Sequence, residues 1–191
     1  MMKMKKDMGN AESSKKKQQI KTRPQLTGEI KHGKMALDAK NILLLHKSNA
    51  VQLKVVRNFR DALISKTEGT VEVTDFINIV DESKIPKSQS WLEELHNVVL
   101  LCLTSEAIDQ FRRIILDKGF ADQNGFLHPK VFSVTFGEKL ASEWPPKGLR
   151  KGSSDLRDFC FGFTDVQNVG QRDFENSLRM SSLIAAIKLT R

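Results

Sequence analysis

At 191 residues and 21.6 kDa the chain can bury a hydrophobic core without disulfides or metals. It is 39% apolar and 28% charged, a globular balance on the polar side, with a net charge of +8 and a pI near 9.5. No apolar run approaches the roughly 18 residues of a membrane helix, the N-terminal lysines lead into no apolar segment as a secretory signal would, and Cys102 (in VVLLCL) and Cys160 (in FCFGF) form neither a disulfide framework nor a zinc spacing. A secreted protein, a membrane span and a structural zinc module are therefore excluded at this level, and two buried thiols in a reducing, cytoplasmic compartment are expected.

The charge is concentrated at the start of the chain. Residues 1–40 carry eleven Lys or Arg and four acids, so this segment is +7 and residues 41–191 are only +1. With almost no aromatic or β-branched content, 1–40 cannot bury enough surface to offset its ordering entropy and is expected to be a disordered basic tail. Within it, Lys15, Lys16, Lys17, Lys21 and Arg23 (KKKQQIKTR) form a polyanion-binding or nuclear-import patch on one reading and a solvated arm on the other.

Residues 41–191 read as one α/β domain. NILLLH (41–46) is a continuous apolar run, which suits a strand buried on both faces of a parallel sheet. Asn49 and Gln52 have capping-box spacing, and Val55, Val56, Phe59 and Leu63 follow at helical spacing. VEVTDFINIV (71–80) is strand-like, with Val71, Val73, Ile77 and Ile79 sharing one parity. A polar loop from Asp81 to Ser90 contains Pro86, and Ser90 with Glu93 forms a capping box for a short helix, WLEEL.

VVLLCL (98–103) is a second fully apolar strand. Ile108, Phe111 and Ile115 mark the next helix, with Ser105 as its cap and Gly119 as its stop. VFSVTF (131–136) is a fourth strand, and Trp144-Pro145-Pro146 breaks the chain in an irregular crossover over 137–157. Residues 158–163 (DFCFGF) supply the fifth strand. Phe174, Leu178, Ser181, Ile184 and Ile187 are expected to line one face of a single last helix.

The strand centres, Leu44, Phe76, Leu101, Val134 and Phe161, lie 32, 25, 33 and 27 residues apart. Repeated βαβ units need about 30 residues each. This rhythm predicts a flavodoxin-like open sheet of five parallel strands in the order 2-1-3-4-5, with helices on both faces. Leu44, Val99 and Leu101 should be nearly inaccessible.

Such sheets bind ligands beyond the carboxyl ends of their strands. Here those ends are His46-Lys47-Ser48-Asn49 and Thr104-Ser105-Glu106. A phosphorelay receiver would need paired acids after the first strand and an aspartate ending the third, and both are missing. No G-x-G-x-x-G or G-x-x-x-x-G-K-[ST] occurs, and no G-x-S-x-G surrounds Ser105. His32, His46, His96 and His128 are too scattered for a metal motif. His46 is either a base at a strand end or a solvated or hydrogen-bonded histidine. No catalytic constellation, cofactor or metal is implied.

The succession NILLLH, amphipathic helix, VEVTDFINIV, polar loop, SWLEEL and VVLLCLTSEA resembles the TIR and SEFIR (STIR) superfamily, and SEFIR domains more closely. The matching positions are Asp81-Glu82, Ile85, Trp91-Leu92 and Val98 to Ser105, with VFSVTFGEKLASEWPPKGL resembling the fourth strand and its loop. The resemblance covers about 41–165 and rests on order and spacing. It implies an intracellular adaptor or signalling domain that pairs with other proteins, including TIR or SEFIR domains and copies of itself, through the loop after strand two. Carried over by position, that surface is Asp81, Glu82, Lys84, Ile85, Pro86 and Lys87, a mixed-charge loop with one apolar anchor.

Some TIR domains hydrolyse NAD through a glutamate in the helix after strand three, within W-C-x-x-E-L. This chain reads Ile115-Leu116-Asp117 near that place, so an enzyme is not the primary expectation. NAD hydrolysis and nucleic-acid association through the basic tail are the two alternatives. The latter would be strongly salt-dependent, and with no Tyr and no aromatic stacking run the body offers no base-reading surface.

Overall fold

The computed structural model describes residues 39–137, 143–152 and 157–191. The strands are β1 (Lys40–His46), β2 (Val71–Asn78), β3 (Asn97–Leu103), β4 (Val131–Phe136) and β5 (Asp158–Phe161). The helices are α1 (Ala50–Thr67), α2 (Ser88–Leu92), α3 (Ile108–Lys118), α4 (Gln171–Glu175) and α5 (Leu178–Leu189). All strand pairs are parallel and the order is β2-β1-β3-β4-β5, the flavodoxin-like arrangement. The residues Lys15, Lys16, Lys17, Lys21 and Arg23 lie outside the described residues. Lys40, counted with the tail from composition, opens β1, and its ammonium donates to the Thr190 carbonyl.

The central strands are apolar throughout because both of their faces are covered. On one face Ile42, Leu44, Leu100 and Val134 pack with Val55, Phe59 and Leu63 of α1 and with Phe174, Leu183 and Ile187 of α4 and α5. Phe59, Phe136, Phe161 and Phe174 form an edge-to-face cluster there, with most ring centroids about 5.5 Å apart. On the other face Leu43, Leu45, Val99 and Leu101 meet Phe111, Ile114 and Ile115 of α3, with Ile85, Leu92 and Trp144. Leu44, Val99 and Leu101 are fully buried.

Asn49 caps α1 as its spacing predicts: its side chain accepts from the Val51 and Gln52 amides at 3.1 and 3.0 Å, and Gln52 accepts from the Asn49 amide at 3.3 Å. Gly119, at φ 78°, ends α3.

Five local expectations are corrected. A bulge at Thr74 splits β2: Val73 pairs with Ile42, but Asp75 pairs with Leu43. The extra residue reverses the side-chain parity, so Val71 faces the α1 side and Ile77 and Ile79 face the α3 side. The last helix is two: the chain breaks at Asn176-Ser177, Ser177 caps α5 through the Arg179 amide, and the buried stripe is Met180, Leu183, Ile184 and Ile187. Leu178 is left 86% exposed and Ser181 is exposed.

The short helix starts at Ser88 rather than after Ser90, whose hydroxyl donates back to the Lys87 carbonyl instead of capping. Ser105 caps nothing; it opens a 3-10 turn, Ser105–Ala107, that leads into α3. Cys102 is buried, whereas Cys160 is only half-buried because it lies on the side of β5 that faces a cavity.

Candidate functional site

The loop after β2 is built onto α3. A turn brings the Asp81 amide to the Asn78 carbonyl, and a 3-10 turn, Glu82–Lys84, follows. Ile85 then inserts into the α3-side core, 3% exposed. This corrects its reading as an outward apolar anchor: Ile85 fixes the loop from inside, because the chain turns inward there to enter α2.

Polar contacts from α3 hold the remainder. Gln110 donates to the Ile79 carbonyl at 3.3 Å, Arg113 pairs with the Glu82 carboxylate, and Lys118 donates to the Glu82 carbonyl at 2.9 Å. Lys87 donates to the Asp117 carbonyl at 2.7 Å and lies 3.7 Å from its carboxylate. That contact places a cation at the negative end of the α3 dipole. Asp81 and Lys84 pair with each other at 3.3 Å. These exposed pairs each contribute little stability, but several together set the loop's shape.

The structure therefore brings five of the six loop residues together at the surface, with Ile85 beneath them. Asp81, Lys84 and Lys87 are exposed, Glu82 and Pro86 half-exposed, and Ile85 supports them. Val80, 64% exposed at the loop's start, and Leu116, 43% exposed on α3, are the apolar side chains that remain outside. Sequence reading missed both. Val80 closes the apparent alternation of 71–80, so the unseen bulge hid which way it points.

Two adjoining pockets lie at the carboxyl ends of the strands. One, about 330 Å³, is walled by Asn49, Val51, Val55 and Val166; the other, about 440 Å³, includes Thr104, Ser105, Glu143 and Thr164. Gln52, Phe136 and Val166 line both. Neither Glu106 nor His46 is in their walls. The first amides of α1 are engaged by Asn49, which removes the usual phosphate donors of a helix N-terminus.

His46 is 3% exposed, stacks on Phe76 at 4.3 Å and shares a 3.1 Å hydrogen bond with Ser48 Oγ. Desolvation, with a smaller contribution from the nearby Arg57 cation, lowers its pKa from 6.5 to about 4. It is neutral at pH 7 and serves the packing of β1 on β2.

Asp117, nearest in sequence to the glutamate position of NAD-hydrolysing TIR domains, sits in the last turn of α3 bound to Lys87, away from both pockets. Among the described residues no group of three or more His, Cys, Asp or Glu could hold a metal ion, and no helix is long and apolar enough to cross a membrane. Comparison of the chain with family models, curated proteins and solved structures finds no match.

Proposed function

We propose that this chain is a protein interaction domain of an intracellular signalling or adaptor type, pairing with domains of its own architecture, including a second copy of itself, through the loop after β2 and the adjoining surface of α3. The observation that carries this reading is the loop's attachment: one buried side chain, Ile85, and four side chains of α3 hold it in a fixed form. A preformed loop loses little conformational entropy on binding. It presents charges of both signs around exposed Val80, the composition of a steered, specific contact. The order of elements and the resemblance to SEFIR and TIR domains support the same reading.

The test is amide shift mapping of labelled chain at rising concentration and with added SEFIR or TIR domains. The expected perturbations fall on Val80–Lys87 and on exposed positions of α3. Lys84→Glu should weaken pairing without unfolding, since the exposed Lys84 ammonium pairs with the exposed Asp81 carboxylate. Lys87→Glu is a poorer probe, because it also releases the loop from α3. Perturbations confined to the opposite face would contradict the reading.

A second reading, hydrolysis of a dinucleotide such as NAD, is favoured by Glu143, an acid in the 440 Å³ pocket beside Thr104, Ser105 and Thr164. Nicotinamide release that disappears in Glu143→Gln would support it. Absence of release at high protein concentration would remove it.

A further inference from the structure

The α1-side core is left open at one end. Phe136, Phe163 and Val166 pack against it but are only partly covered, and all three line the pair of pockets at the carboxyl ends of the strands. These pockets, about 330 and 440 Å³, share Gln52, Phe136 and Val166 and so form one cleft with two lobes. Small-molecule sites begin at roughly 300 Å³, and the crevice beyond the strand ends is where open parallel sheets hold their ligands.

The walls of the cleft are fixed from behind. A turn, Val166–Asn168, supplies one wall of the first lobe, and the chain just after it is tied to α1 by the Asn58 side-chain amide, which donates to the Val169 carbonyl at 2.9 Å. The Gly137 and Phe163 amides both donate to the Phe161 carbonyl, at 2.8 and 2.9 Å, and so hold the chain where it leaves β4 and β5. A ligand that enters a preformed cleft orders little of the protein.

The charge in these walls has one sign. The first lobe is lined by valines, Phe136 and the side-chain amides of Asn49, Gln52 and Gln167, with no charged group among the described residues. The second adds the hydroxyls of Thr104, Ser105 and Thr164 and one ionisable side chain, Glu143. Glu143 is exposed and has no salt bridge or hydrogen bond from its carboxylate among the described residues. A ligand phosphate or carboxylate would meet this like charge and no cation among the described residues, and the first amides of α1 are already taken by Asn49. An ammonium would meet an acceptor of opposite charge and hydroxyl oxygens able to accept its remaining N–H bonds.

We propose that the cleft binds a small organic amine, with its apolar body in the first lobe and its ammonium in the second, toward Glu143. This site is independent of the pairing surface. It also assigns the second lobe an occupant other than a dinucleotide, whose two phosphates lack a partner in either wall among the described residues.

The test titrates isotope-labelled full-length protein at pH 7 with three probes of similar shape, phenylpropylamine, phenylpropanol and phenylpropionate, and separately with NAD. The readout is the amide shifts of Val51–Val56, Thr104 and Thr164–Gln167. The expected result is a saturable shift with the amine, binding about three- to tenfold weaker with the alcohol, and none with the carboxylate or NAD. An exposed carboxylate supports a preference of about that size. Glu143→Gln, an isosteric change at an exposed position, should reduce the amine to the affinity of the alcohol and leave the alcohol unchanged. Equal affinity for amine and alcohol, full amine affinity in Glu143→Gln, or no saturable shift at these amides would overturn the proposal. Tighter binding of phenylpropionate or NAD than of the amine would overturn it as well, and in the case of NAD would favour the dinucleotide reading.

Discussion

His46 gives the molecule a pH dependence with a definite sign. Its pKa is lowered from 6.5 to about 4 in the folded state, chiefly by desolvation. Between those values the unfolded chain takes up a proton that the folded chain refuses. Stability is therefore fully present above pH 6.5 and declines as pH falls toward 4, by up to about 1.4 kcal/mol per pH unit for this group. His128, lowered by burial and by Lys130 and Arg157, adds in the same direction. Urea unfolding of wild type and His46→Asn from pH 7 to 4 should show a shallower decline in the variant, and parallel curves would refute the assignment. Leu101 makes the complementary packing statement: fully buried in β3, its truncation to Ala should cost about 2–5 kcal/mol in the same assay, and a loss below about 1 kcal/mol would mean that β3 is not the sheet's centre. Residues of this kind were readable from sequence, because a continuous apolar run has only one comfortable place. Ile85 was not, since a lone apolar residue in a polar loop points inward or outward with equal plausibility until α3 is in position.

Among the elements, β1 and β3 were legible from their apolar runs, α1 from its capping box and stripe, and the end of α3 from Gly119. What escaped depended on single residues inside otherwise regular patterns. Thr74 inserts into β2 without any signal of its own, since bulged and unbulged strands share the same β-branched composition. The break between α4 and α5 did carry a signal: Asn176-Ser177 places two cap-forming residues in mid-helix. The polar side of β4 and β5 was also visible, as the small and polar residues at every second position of V-F-S-V-T-F and D-F-C-F, which a strand apolar on both faces would not show. The bulge makes a sharp prediction. Deleting Thr74 preserves every observed β1–β2 pair and both faces of β2, so the variant should fold with a minor loss. Deleting Leu100 from β3 shifts all that follows it to the opposite face and should prevent folding. Circular dichroism and thermal unfolding of the two deletions compare them directly, and equal damage would contradict the register.

For the whole molecule, the spacing of five strands carried the topology, because right-handed βαβ units leave few alternatives once their number and length are known. The placement of the loop after β2 also followed, since in such a sheet it lies beside the helix that follows the third strand. Its internal wiring did not follow, because Glu82–Arg113 and Lys87–Asp117 join residues 31 and 30 positions apart, and no local pattern announces such pairs. The fixed loop and its neighbours on α3 are proposed as a pairing surface. Sedimentation velocity of the full-length chain over a range of concentrations tests it most directly, comparing wild type with Val80→Asp and with Leu189→Asp, a control that places the same charge at an exposed leucine of α5. A concentration-dependent dimer is expected in wild type and Leu189→Asp and is lost in Val80→Asp. A chain that stays monomeric throughout, or a dimer that survives Val80→Asp and disappears in Leu189→Asp, would contradict it.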